Sequence, residues 1–144
     1  MIRTQYFADL GMSFKPVASN LANEIWGADR PAYPSDLIRL HTDDFAGTPA
    51  TEKISKVIEK IDADHLLVVE LDQIAWTLNL RGNDIEYNPV FFSFMVMSKE
   101  TKKIVLFVNP DKTSDVSSYL ESIGVEIQPY GNVGDYLSGL TGSV

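Results

Sequence analysis

The sequence predicts an α/β domain, a mixed β-sheet of about five strands flanked by helices. Short apolar runs alternate with stretches whose apolar residues recur at helical spacing. Val90–Met97 and Ile104–Val108 are separated only by the polar link Ser98–Lys103, the pattern of an antiparallel hairpin, whereas the other runs are separated by helices. The chain has 144 residues, 44% of them hydrophobic and 22% charged, enough apolar material for one buried core.

Residues 1–13 carry no clear pattern and read as a loose N-terminal segment ahead of a domain over 14–144. Val17, Leu21 and Ile25 predict a helix after Pro16 that stops at Gly27. Pro31 and Pro34 force an extended connector toward a short strand at Leu37–Leu40. Thr48 reads as an N-cap with Pro49 at the first helical position. In that helix Ile54, Val57, Ile58 and Ile61 form the inner stripe, and Glu52, Lys53, Lys56, Glu59 and Lys60 form the opposite, solvated face. The run from His65 to Val69 reads as a strand buried on both faces.

Asp72 is placed to cap the next helix, with Leu71, Ile74, Ala75 and Leu78 inward. Arg81-Gly82-Asn83-Asp84 ends it, Gly82 being free to take a positive φ. After the hairpin, Val116, Tyr119, Leu120 and Ile123 make another stripe, closed by Gly124. Val125–Ile127 alternates like an edge strand, and Asn132 can cap a last helix with Val133, Leu137 and Leu140 inward.

Composition excludes several functions. Twelve basic against 20 acidic residues give a net charge of −8, a field that repels phosphates, so no nucleic-acid partner is expected. With no cysteine there is no disulfide framework, thiol nucleophile or thiolate metal site. The start lacks a signal-peptide pattern and no apolar run is long enough to span a bilayer, so no membrane role and a cytoplasmic location are expected.

Catalytic motifs are missing as well. There is no Gly-x-Ser-x-Gly elbow, no phosphate-binding Gly-Lys-Ser/Thr loop and no dinucleotide fingerprint. Asp62-Ala63-Asp64-His65 can be drawn as part of a metal site but reads more simply as a solvated helix end feeding a strand. Asp43-Asp44 reads as a loop. The residues alone assign no catalytic side chain and no metal ligand.

One segment stands apart. Between a helix and a buried strand lie Arg81, Asp84 and Asn88, polar groups that cost stability unless they are paired or used. Read as a self-satisfied loop, Asp84 accepts from Arg81, Asn88 caps local backbone and Pro89 rigidifies strand entry. Read functionally, the three face a substrate or a neighbouring domain.

This segment resembles a known family. Leu78-Asn79-Leu80-Arg81-Gly82, then Asp84 and Asn88-Pro89-Val90-Phe91-Phe92, are similar to the signature of the creatinase/prolidase N-terminal domain as it occurs in the middle of three-domain Xaa-Pro aminopeptidases (aminopeptidase P). Asn20-Leu21, Ile25-Trp26-Gly27, Asp29-Arg30-Pro31, Phe45-Ala46-Gly47 and Glu52-Lys53-Ile54 are similar too, so the resemblance runs from about Phe14 to Asn109.

The resemblance implies a ribonuclease-H-like mixed sheet. It also implies a parent hydrolase that removes an N-terminal residue preceding proline, using two metal ions, usually manganese, and a bridging hydroxide. The family's ligands, two aspartates, a histidine and two glutamates, lie on a separate catalytic domain. No position here matches them, and the residues after Pro89 are too few to build that domain.

The chain is therefore expected to be silent alone, with no cofactor of its own. Its expected partners are the catalytic domain of the same parent and, through it, proline-containing peptides; a homodimer is a further expectation. It would shape the active-site entrance and contribute dimer contacts, with Arg81, Asp84 and Asn88 on the substrate- or domain-facing loop, the one turned toward the catalytic domain. Without the catalytic domain an apolar face should be bare, and Trp26, Trp76 or Tyr87 could line it. The alternative is a stand-alone binding or regulatory module that kept the fold without peptidase activity.

Overall fold

Strand β5 (Ile104–Val108) has all five residues buried, because it lies inside the sheet with a layer on each face. A computed structural model of the chain describes residues 2–13, 15, 17 and 19–144. Within it a first unit ends at Tyr33 and a second covers Pro34–Val144.

The first unit contains α1 (Ile2–Asp9), α2 (Leu21–Trp26) and a 3-10 turn at Gly27–Asp29. Helix α2 starts later than the apolar spacing predicts, because the Asn20 side chain accepts from the Ala22 amide and caps it there. Pro16, where that helix was expected to begin, lies outside the described residues. Gly27 does end the helix, at φ +54°. Val17, Leu21 and Ile25, whose spacing predicts the helix, are all exposed, as is Trp26.

The second unit holds the sheet. Its strands are β2 (His65–Val68), β4 (Phe94–Ser98), β5 and β6 (Val125–Pro129), in the order β2-β4-β5-β6. β2–β4 and β4–β5 are antiparallel and β5–β6 is parallel, so the sheet is mixed, with four strands where about five were expected. The missing pairing is a separate two-stranded ribbon, β1 (Arg39–Leu40) with β3 (Leu80–Arg81), antiparallel.

One face of the sheet is covered by α4 (Ala50–Glu59), α5 (Leu71–Thr77) and α6 (Ser117–Ser122), which bring Ile54, Ile58, Ile74 and Leu120 onto Met95, Met97, Leu106 and Val108. The other face is covered by α7 (Val133–Ser138), whose Val133 and Leu137, with Leu140 beyond, pack on Val96, Val105 and Phe107. Strand alternation thus sends even and odd positions of β4 and β5 into two different clusters.

Several local readings shift. Helix α4 has Pro49, not Thr48, at its N-cap position, and the Thr48 carbonyl is used elsewhere. Glu70, not Asp72, precedes α5, and Asp72 accepts from the next amide within the first turn. Regular strand begins at Phe94 rather than Val90, although Val90 and Phe91 are buried. β2 is an edge strand and only Val68 of it is fully buried, because the sheet ends there.

Candidate functional site

The motif Leu78–Phe92 is a folded knot with an exposed tip. Helix α5 ends at Thr77 with Leu78 as its C-cap, and the chain reverses because Asn79 takes φ +53°. Asparagine tolerates that left-handed conformation better than most residues, so the turn expected at Gly82 is made by Asn79. Leu78 and Leu80, on either side, are fully buried in the core.

Asn79 itself is fully buried and uses every polar atom. Its Oδ1 accepts from Lys53 Nζ at 2.6 Å, and its Nδ2 donates to the Thr48 carbonyl at 3.0 Å and to Asp43 Oδ1 at 3.2 Å. Its backbone carbonyl accepts from the His41 amide at 2.8 Å. Through its side chain and its backbone carbonyl this one residue ties together α3 (Asp43–Ala46), α4 and the end of the ribbon.

Lys53 was expected on the solvated face of α4 and is instead 3% exposed. Its ammonium also donates to the Trp76 carbonyl at 2.9 Å and sits 4.3 Å from the centre of the Trp76 ring. Desolvation holds its pKa below the ordinary lysine value; the Arg81 charge lowers it further, and Asp43 opposes both. Nearby, Tyr119 Oη donates to the Leu78 carbonyl at 3.0 Å, satisfying an orphan at the end of α5. Burial raises the Tyr119 pKa.

Arg81 stands opposite Arg39 in the ribbon, a like-charge pair that each resolves by turning to neutral oxygens. Arg81 Nη1 donates to the Leu80 and Ala75 carbonyls at 2.8 and 3.1 Å, and Arg39 Nη1 donates to Asn83 Oδ1 at 2.9 Å. Gly82 is required for a different reason from positive φ. A Cβ there would lie 2.7 Å from Phe91 Cβ and 2.9 Å from the Val90 carbonyl oxygen.

Asp84 does not pair with Arg81. Its Oδ2 accepts from the Phe92 amide at 2.7 Å, and its Oδ1 takes the Lys112 ammonium in a buried ion pair, the two side chains being 0% and 2% exposed. Main-chain bonds from Gly82 to Pro89 and from Asp84 to Val90 zip the two arms of the loop. Beyond that brace, Asn88 closes a tight turn by donating its backbone N–H to the Ile85 carbonyl at 3.0 Å. The tip presents Tyr87, 97% exposed at φ +63°, beside Glu86 and the exposed Asn88 side chain. Asn83, Ile85, Pro89 and these three line an open depression of about 480 Å³.

Of the three residues expected on a substrate- or domain-facing loop, the fold sets Arg81 and Asp84 behind the tip as braces and Asn88 at its surface. Of the aromatics expected on a bare face, Trp26, Trp76 and Tyr87 are all exposed. Lys53, Asn79 and Lys112 were missed as partners. An asparagine between two leucines was a usable signal for Asn79; nothing local marks Lys112. Among the described residues no three His, Asp or Glu side chains converge to hold a metal ion.

Residues 29–143 match the family model described as the creatinase/prolidase N-terminal domain. A protein of Sordaria macrospora named "Probable Xaa-Pro aminopeptidase P" is 44% identical over 124 residues, covering 83% of this chain and 20% of that protein. One of the same name from Fusarium vanettenii is 38% identical over 138 residues, 93% of this chain and 22% of that one. The crystal structure of X-prolyl aminopeptidase from Caenorhabditis elegans, described as a cytosolic enzyme with a di-nuclear active site, superposes with a TM-score of 0.85 at 26% identity, covering 94% of this chain and 22% of that one. The chain spans about a fifth of the length of the curated relatives it matches. By sequence and by fold alike, it belongs to the creatinase/prolidase N-terminal domain family.

Proposed function

We propose that the chain is the non-catalytic domain of an Xaa-Pro aminopeptidase, a wall that shapes the entrance to an active site carried by another domain. The observation that carries this reading is the use of the motif's polar residues. They are spent on bracing the fold, Asn79 on Lys53 and Asp84 on Lys112, and not on converging at a reactive centre. The result is a rigid stalk under an exposed tip, the form suited to excluding bulky substrates by sterics. On this reading Asn88, with Tyr87, faces the catalytic domain, while Arg81 and Asp84 set the tip's position from behind.

The finer features of the parent belong to the same proposal. Its reaction removes an N-terminal residue before proline, its two metal ions are manganese held by the catalytic domain, it works in the cytoplasm, and this domain contributes to homodimer contacts. The solved relative's description as cytosolic and di-nuclear supports the location and the ion count. No helix among the described residues is long and apolar enough to cross a membrane.

The test is a domain exchange. The chain replaces the matching segment of the Sordaria macrospora relative, and the chimera is assayed on an Xaa-Pro peptide with manganese beside the chain alone. Retained turnover by the chimera and none by the chain is the expected result. Turnover by the chain alone, or a folded but inactive chimera, overturns the proposal.

A further inference from the structure

The last residues of the chain fold over the open edge of the sheet. Leu140 packs with α7 on one face, against the cluster of Val96, Val105 and Phe107. Val144 lies on the opposite side, beside Val57, Ile61 and Leu66. Between them Thr141–Ser143 crosses the outer edge of β2. The Ser143 carbonyl accepts from the His65 amide at 3.0 Å, and Ser143 Oγ accepts from the Asp64 amide at 3.1 Å. In return Asp64 Oδ2 accepts from the Ser143 amide at 2.8 Å and from its hydroxyl at 2.9 Å.

His65 adds a second stitch. The Thr141 carbonyl can only accept, so His65 Nε2 donates to it at 3.1 Å, while Nδ1 pairs with the Ser98 hydroxyl at 2.8 Å. Gly142, at φ +103°, allows the close pass, since a Cβ there would lie 2.5 Å from Asp64 Oδ2. This is a specific, reciprocal closure at one end of β2.

Among the described residues no strand pairs with β2 on the side away from β4. Alternation along an antiparallel strand puts the His65 N–H outward, toward Ser143, and therefore the Leu67 amide and carbonyl outward too. The run beside them, Leu66-Leu67-Val68-Val69, is uncharged and β-favouring, and Val69 is exposed. Such an edge is a template for another strand, and a strap or a charge is how proteins block it.

We infer that the Thr141–Val144 strap, locked by Asp64 and Ser143, guards the β2 edge against pairing with the β2 edge of a second copy of this chain. A second copy is the occupant that fits, because an antiparallel edge is self-complementary: two β2 strands related by a two-fold axis offer each other the same outward amides, carbonyls and apolar side chains. The inference stands on this domain alone and is independent of any peptidase role.

The experiment compares the natural chain with Asp64→Ala/Ser143→Ala and with the same double variant carrying Val69→Lys, which adds a charge to the open edge. Light scattering reads mass, and amide exchange reads Leu67 and Val69 as concentration rises. With the strap released, mass should double and exchange at Leu67 should slow roughly tenfold with concentration, while circular dichroism stays native. Val69→Lys should abolish both effects. In the natural chain, exchange at Leu67 should not depend on concentration. A strap-released variant that is folded yet unchanged in mass, or that associates without protecting Leu67, overturns the inference. If that variant does not fold, truncation after Leu140 provides the same comparison, and concentration-dependent protection of Leu67 in the natural chain also overturns it.

Discussion

Lys53 Nζ donates to Asn79 Oδ1 at 2.6 Å across 26 residues of sequence, with both side chains buried. The contact sets where α4 ends up relative to the turn that opens the family motif. Lys53→Met leaves Asn79 Oδ1 and the Trp76 carbonyl without their donor, so urea unfolding should show a loss of about 2 kcal/mol. Asn79→Gly should cost a similar amount through the lost side-chain bonds, and Asn79→Ala about 1 kcal/mol more, because only alanine also resists positive φ. Equal stabilities for the glycine and alanine variants would refute the backbone part of this account.

The Asp84–Lys112 pair anchors the stalk. Asp84→Ala strands a buried ammonium and should destabilise by about 3–5 kcal/mol, whereas Asp84→Ala with Lys112→Met should recover part of the loss. Chemical denaturation gives the totals. Amide exchange at Phe92, whose N–H loses its carboxylate acceptor in both variants, reports whether the tip has loosened.

At Gly82 the constraint is space. The methyl of Gly82→Ala meets Phe91 Cβ and the Val90 carbonyl, backbone and near-backbone atoms that cannot swing aside. A cost of about 1–3 kcal/mol is expected. Gly131→Ala, where nothing lies within 4 Å of the added Cβ and φ is not positive, is the control and should be nearly neutral.

The strap carries an acid dependence. The Ser143 amide, and then its hydroxyl, hold the Asp64 carboxyl below its ordinary value, with smaller contributions from His65 and Lys99. A carboxylate whose folded pKa is depressed stabilises above its unfolded pKa, near 3.8, and that contribution is lost as pH falls through the lower folded pKa. Amide exchange at His65 and Ser143 should therefore quicken as pH drops below about 4 after correction for intrinsic rates. In Ser143→Ala the remaining pH dependence should shrink. An unchanged acid profile in that variant would show that Asp64 acts through something else.

Much of the fold was legible in the sequence because periodicity reports which way a side chain faces. The stripe Ile54–Ile58–Ile61, the hairpin of β4 and β5, the α6 stripe and the inward face of α7 all follow from spacing alone. The motif Leu78–Phe92 marked the family for a related reason: its glycine and its buried leucines answer local geometric demands that few other residues meet.

What tertiary structure alone decided is which polar groups meet. Lys53 reads as solvated on any helical wheel, and only the approach of α5 buries it; Asp84 has Arg81 three residues away yet pairs with Lys112, 28 residues on. The edge position of β2 was equally hidden, since an apolar run looks the same at the border of a sheet as at its centre. Side-chain direction is a local property of the backbone and can be read from order along the chain. A partner for a buried charge is set by where distant segments come to rest, and by the cost of leaving that charge alone.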